Sequence, residues 1–362
     1  MRWVGSLSFC ASIAVAGCSS QGGLGGAGQP GEGDVATVSQ ALEDPYIYNA
    51  AGTYGLTTMS VAIASIPSTN GFDNLNFAWT DSSSRVHLVM ENACSGGTPQ
   101  GGGLTWASSI DSPVLAYGVS PWGAGALRMA WTGTESQHYV HFSSIYGVIL
   151  NDREDVTIYE STLSRPAMTW TSNGLLFLAW RRQADNMIVV TYAKDAVTFP
   201  VHFALGDSTD SFPVLTANGN DVYLGWKGNG NNWLNVAKLT YDSNGVTGLT
   251  NKVWLKSSPW SPGLKAYNGN LYLAWAGDTD NALHTMVSLD GGQTFGQEQY
   301  MYSLSAAAPT LDWCYDRLAT PDPNNPSPFN QHNHPAITWV EYDYQRSTAS
   351  YVATAFLGSI AQ

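Results

Sequence analysis

Six charged residues each follow a short apolar strand that ends in tryptophan: Asp81, Glu135, Arg181, Lys227, Asp278 and Glu341. Asp185, Asp280 and Asp343 lie a few residues beyond one of them, and Arg165 stands immediately before Pro166. Two carboxylates at a suitable separation can serve glycoside hydrolysis, one as acid and the other as base or nucleophile. Trp233 and Trp260 offer flat apolar faces with a polar N–H, a surface that stacks on sugar rings. Each of these residues also has a structural reading. Asp is a good hairpin residue, and a lone tryptophan packs between sheets. His332-Asn333-His334 sets two imidazoles two residues apart, but no third ligand follows at a recognised spacing, so no metal site is expected. Asp278-Thr279-Asp280-Asn281 lacks the Gly and distal Glu of a calcium hand. No Ser nucleophile elbow, phosphate-cradling Gly loop or reactive Cys motif occurs, and no cofactor is expected.

The elements that position these residues repeat. Phe77-Ala78-Trp79, Met129-Ala130-Trp131, Phe177-Leu178-Ala179-Trp180, Tyr223-Leu224-Gly225-Trp226 and Tyr272-Leu273-Ala274-Trp275 are copies of one strand, with Ile337-Thr338-Trp339 a looser sixth. The tryptophans are spaced by roughly 52, 49, 46, 49 and 64 residues, a period typical of repeat architectures. A proline-led strand precedes most copies, at Pro113, Pro166, Pro213, Pro262 and Pro309. A polar turn follows each Trp, and then an alternating third strand such as Ala282–Val287. Four short antiparallel strands per unit make the blade of a β-propeller. The expected fold is all-β: a six-bladed propeller over residues 43–362, whose last blade borrows its outer strand from the segment near Tyr46 to Tyr54 and so hides its edges. Closure would set Cys94 and Cys314 at one seam, where a disulfide can form.

The chain has 362 residues, 44% hydrophobic and 12% charged, with 14 Trp and a net charge of −13. That balance argues against nucleic acid or an anionic membrane surface as partner, since both need clustered Lys and Arg. At the N-terminus Arg2 precedes an apolar run from Val4 to Ala16, too short to span a bilayer and shaped like an export signal. Its end, Val15-Ala16-Gly17-Cys18, resembles the lipobox of bacterial lipoproteins, which implies a signal over 1–17 and lipidation of Cys18. Ala14-Val15-Ala16 is also an ordinary cleavage site. Residues 18–42 are Gly- and Ser-rich and read as a flexible tether. The expected location is the outer membrane or cell surface through the lipid anchor alone, with secreted or periplasmic release as the alternative.

Ser288-Leu289-Asp290-Gly291-Gly292-Gln293-Thr294-Phe295 matches S-x-D-x-G-x-T-[WF]. Gly103-Leu104-Thr105-Trp106 and Val197-Thr198-Phe199 keep fragments of the motif in other units. On these residues the chain resembles the sialidase-like, Asp-box (BNR-repeat) propeller superfamily across roughly 45–360. The resemblance implies that Ser288, Asp290, Gly292, Thr294 and Phe295 form a structural turn away from the active face. It also implies three substrate-binding arginines, one on the first blade, with a Tyr–Glu pair and an Asp. The first blade here begins Met59-Ser60-Val61-Ala62-Ile63 without Arg, and the nearest lookalike is Arg165-Pro166 in the third unit. The expectation is therefore glycan recognition without turnover. The alternatives are a glycoside hydrolase using other carboxylates and a protein-interaction disc.

Overall fold

The computed structural model describes residues 46–48, 59–66, 74–91, 104–119, 125–145, 153–195, 197–315, 333–343 and 348–356. All of them lie in the unit Ala41–Gln362. The signal, the tether, Cys18, Cys94 and His332 lie outside the described residues, as do the side chains of Cys314, His334, Glu341 and Asp343.

The strands pair into six four-stranded antiparallel sheets. Five are blades of consecutive strands, at residues 62–108, 114–161, 167–208, 214–257 and 263–304. The fourth blade runs Val214–Asn218, Asp221–Lys227, Trp233–Asp242 and Gly245–Ser257 from inside to outside. The remaining sheet is composite. Thr310–Tyr315, Asn333–Asp343 and Thr348–Phe356 carry Tyr46–Tyr48 as the outermost strand, with Tyr46 opposite Phe356 and Tyr48 opposite Thr354. Six equal blades, as the tryptophans suggest, are thus corrected to five blades of consecutive strands plus this composite sheet. Among the described residues only one strand follows the Trp339 strand, so the fourth comes from the other part of the chain.

Each proline lies one residue before its strand rather than inside it. The inner strands start at Val114, Ala167, Val214, Gly263 and Thr310. Proline has no N–H to give to the ladder, so it ends the connection and leaves pairing to its neighbour. Four residues before every such proline is a fully buried hydroxyl residue: Ser109, Thr162, Thr209, Ser258 and Ser305. Each hydroxyl accepts the backbone N–H two residues on, at 3.1–3.4 Å. These turns satisfy donors that would cost about 1–3 kcal/mol each if buried without a partner.

The core lies between blades. Phe177, Ile188 and Val190 of the third blade pack with Val222, Leu224, Trp226 and Leu239 of the fourth. Similar clusters join each of the other blades to its neighbour. Leu311, Ile337 and Trp339 of the composite sheet pack with Tyr272, Ala274 and Leu283 of the fifth blade, and Ala336 packs with Leu75 and Phe77 of the first. Trp180, Trp226, Trp275 and Trp339 are among the largest fully buried side chains. The repeated tryptophan is therefore interblade filling. It sets the position of the turn that follows it.

Candidate functional site

That turn is a tight hairpin, and its carboxylates are mostly engaged in holding it. Ser84, His138, Asn186 and Asn281 adopt positive φ at matching places, between 50° and 62°. Asp81 accepts the N–H groups of Ser83 and Arg85, Glu135 that of Tyr139, Asp185 that of Met187, and Asp280 that of Ala282. Asp185 also pairs with Arg182. In three blades the residue opposite the tryptophan is histidine: Trp79 faces His87, Trp131 faces His141 and Trp275 faces His284. The rings stack at 5.1–5.5 Å with interplanar angles of 10–19°. His87 Nε2 lies 2.9 Å from Asp81 Oδ2, and His141 Nε2 lies 3.1 Å from Glu135 Oε1. Burial opposes the charge on Asp81, but hydrogen bonds from His87, Arg85 and Ser83 outweigh it and hold the carboxyl well below its usual range.

Several of the sequence candidates meet in one network. Lys227 Nζ pairs with Asp210 at 2.7 Å, and Arg181 Nη1 donates to the Asp210 carbonyl at 2.6 Å. Lys227 also donates to Asn232, whose amide donates to Asp278 at 2.6 Å. Arg165 is buried beside Asp111, whose carboxylate accepts the N–H groups of Ser112 and Arg165 at 2.6 and 2.8 Å. Burial still pushes the Asp111 carboxyl up, and it lowers the Arg181 guanidinium against the pull of Asp111 and Asp210. Asp111 and Asp210 were not legible as site residues, because they sit on connections between blades. Trp260, on the next such connection, is 38% exposed. Asp290 accepts from Ser288 Oγ, the backbone of Gln293 and both donors of Thr294, while Gly291 and Gly292 take positive φ. Phe295 packs against the core between the fourth and fifth blades. The turn is self-contained.

An open site lies between the third and fourth blades. Its floor is Trp226, 1% exposed, opposite Asn235, which is in turn opposite Trp254 on the outer strand. Opposed residues in a ladder share a face, and Trp233 joins them two positions before Asn235. The result is a groove of about 530 Å³ with Gly206, Asp207 and Ser208 of the third blade as its far wall. Trp254 is 74% exposed and Trp233 56%. Lys252 pairs with Asp207 and holds its Nζ 5.1 Å from the centre of the Trp226 ring. Asn235 donates to the Trp233 carbonyl at 3.0 Å, and Asn231 accepts the Trp233 N–H at 3.0 Å. A Cβ on Gly206 would meet nothing within 4 Å, so the wall is open there. Of the groove residues Trp233 is a sequence candidate for ligand stacking and Trp226 a repeat tryptophan. Trp254 sits on the most variable strand, where no repeat marks it.

No family model matches the chain, and no curated protein does. Solved structures do. The fucose-specific lectin from Aleuria aurantia superposes with a TM-score of 0.52 at 10% identity, over 85% of this chain and 99% of that one. The BP39L lectin from Burkholderia pseudomallei gives 0.51 at 11%, over 83% and 82%. A luciferin-regenerating enzyme gives 0.51 at 11%, over 87% and 97%. The likeness is one of fold. The three names stand for different chemistries, so the groove and not the fold must decide.

Proposed function

We propose that this chain is a lectin-like propeller that binds a neutral glycan in the Trp226 groove without turning it over. The observation that carries the reading is the pair of exposed indoles, Trp233 and Trp254, on one face with Asn231, Asn235 and the Lys252–Asp207 pair. Large exposed apolar faces in an otherwise polar surface mark ligand sites. An indole supplies stacking area, while amides and a charged pair supply oriented hydrogen bonds. Asp207 is the one carboxylate lining the groove and is tied to Lys252, whereas glycoside hydrolysis uses two. The fold likeness to a fucose-specific lectin makes deoxyhexosides the first ligands to try. The test is a glycan array run beside a fluorogenic glycoside panel. Binding that disappears in Trp254→Ala supports the reading; hydrolysis of a glycoside, or binding to no glycan at all, sinks it.

The finer expectations join this proposal. Tyr46–Tyr48 closes the ring through the composite sheet; the inner strands Ala62–Ile66 and Thr310–Tyr315 are in contact, and Thr338 Oγ1 donates to the Val61 carbonyl at 3.1 Å. Deleting residues 43–58 should then lower the melting temperature, and an unchanged melt would refute closure. The Ser288–Phe295 turn serves as the Asp box of a sialidase-like ancestor, which loss of folding cooperativity in Asp290→Ala would support and an unchanged melt would oppose. Cys18 carries a lipid anchor, to be checked by detergent partitioning of Cys18→Ser against wild type. Cys94 and Cys314 are bridged, which two titratable thiols in the purified protein would disprove.

A further inference from the structure

A row of three opposed residues crosses the fourth blade beside the groove: Trp226, Asn235 and Trp254. The fifth blade repeats it as Trp275, His284 and Tyr300. Trp275 is buried like Trp226, and Tyr300 is 50% exposed on the outer strand, as Trp254 is on its own. An ion pair crosses both junctions at the same two positions. Lys252 and Glu298 each stand two residues before the outer aromatic, and Asp207 and Lys256 each stand two before a buried hydroxyl, Thr209 or Ser258. Lys252 pairs with Asp207 and Glu298 pairs with Lys256, so the pair is kept with its signs exchanged. In the first three blades the outer member of the row is Thr105, Thr157 or Ala204, which offers no ring.

The two junctions differ at the middle of the row. Asn235 ties its amide to the Trp233 carbonyl at 3.0 Å. His284 instead lays its imidazole on the Trp275 indole, with centroids 5.3 Å apart and planes 15° from parallel. The Tyr300 ring meets that imidazole edge-on at 5.4 Å. His284 Nδ1 lies 2.8 Å from Glu298 Oε1, and a Cβ on Gly277 would come within 2.9 Å of Nε2. The imidazole thus fills the space in which a ligand ring would lie between Trp275 and Tyr300.

We propose that the junction of the fourth and fifth blades is a second site for a neutral glycan, held shut by His284. The proposal rests on reading the Trp226 groove as a glycan site. Exchanging the signs of the ion pair leaves the class of ligand unchanged, because a sugar hydroxyl donates to a carboxylate and accepts from an ammonium. The stacked imidazole satisfies the Trp275 face from within the chain, and the Glu298 carboxylate beside Nδ1 fixes its position, so the wild-type chain carries one glycan. Asn235 is on this view the residue that decides which junction is open. The counterpart of Trp233 in the fifth blade is Ala282, so the second site has one exposed ring where the first has two, and it binds more weakly.

The test is isothermal titration of the purified full chain with methyl α-fucoside, methyl α-mannoside and methyl β-galactoside, read as equivalents bound per chain. Expected is one equivalent in wild type and a second, weaker one in His284→Asn. Adding Tyr300→Ala to His284→Asn should weaken the second equivalent at least tenfold and leave the first unchanged. Adding Trp254→Ala instead should weaken the first and leave the second. Two or more equivalents in wild type, or a single one in a folded His284→Asn chain, overturn the proposal while the groove reading stands. Binding of none of the three probes to His284→Asn also overturns it, and the glycan array then decides the groove alone. Should His284→Asn fail to fold, His284→Ser and the wild-type stoichiometry are judged by the same criteria.

Discussion

Replacing Trp254 by alanine removes an indole that is 74% exposed and whose row-mates, Asn235 and Trp226, remain in place. A sugar ring laid on one indole face covers about half of the ~200 Å² that a tryptophan can bury, or ~100 Å². At about 25 cal/mol per Å² that contact is worth about 2.5 kcal/mol. Holding the side chain in one rotamer costs about 0.5–1.5 kcal/mol, leaving roughly 1–2 kcal/mol. With tenfold in Kd per about 1.4 kcal/mol, the variant should bind its glycan some 5–30-fold more weakly. Stability should hardly move, because exposed substitutions stay within about 0.5 kcal/mol. For a chain of this size that is no more than about 2 °C in Tm. Isothermal titration with the best array ligand measures the first quantity and calorimetric melting the second. A Kd within twofold of wild type would refute the stacking argument. So would a weakening accompanied by a large drop in Tm, which would show that Trp254 supports the blade instead.

Gly206→Phe should fill the groove from its open wall. Since a Cβ there meets nothing within 4 Å, the variant should fold normally and lose more than tenfold in glycan affinity by titration. Trp226→Ala deletes a side chain that is 1% exposed and should cost about 3–5 kcal/mol in urea denaturation, the usual range for a buried large-to-small change. Asp290 gives a pH signature. Hydrogen bonds from Thr294 and Ser288 hold its carboxyl at about 2, below the ordinary 3.8. A depressed carboxyl lends stability that is present above its unfolded value and lost as pH falls through the folded one. The difference in melting temperature between wild type and Asp290→Asn should therefore persist above about pH 4 and close between about pH 4 and 2. A difference that stays constant through that window would contradict the sign.

The scaffold was legible because its signal is periodic. A tryptophan that fills the space between blades must recur wherever a blade recurs, and Trp79 through Trp339 do so. A second periodic signal is the Ser or Thr four residues before each proline, at Ser109, Thr162, Thr209, Ser258 and Ser305. Its role shows only when the hydroxyl is seen to accept a turn N–H. The turn carboxylates had a conspicuous position for an ordinary reason: Asp185 and Asp280 hold hairpins. The residues that make the groove are legible only in three dimensions. Gly206 and Asp207 belong to one blade and Lys252 and Trp254 to the next, more than forty positions later. Asp111 and Arg165 are likewise 54 residues apart and meet through a backbone hydrogen bond across a blade boundary.

The composite sheet has a consequence in time as well as in space. Its outermost strand, Tyr46–Tyr48, is synthesised before its partner, Thr348–Phe356, by roughly 300 residues. Every other blade can form its ladder from strands that emerge in succession. This one cannot, so its last pairing waits for the roughly 300 residues between its strands and carries the highest loop-closure cost among the described pairings. Until Thr310–Tyr315 and Asn333–Asp343 are in place, the fifth blade and the first each lack one packing neighbour, and the apolar surfaces around Leu283 and Phe77 stand open. The growing chain is in that sense a broken circle with two adhesive ends, and its final strand acts as the clasp.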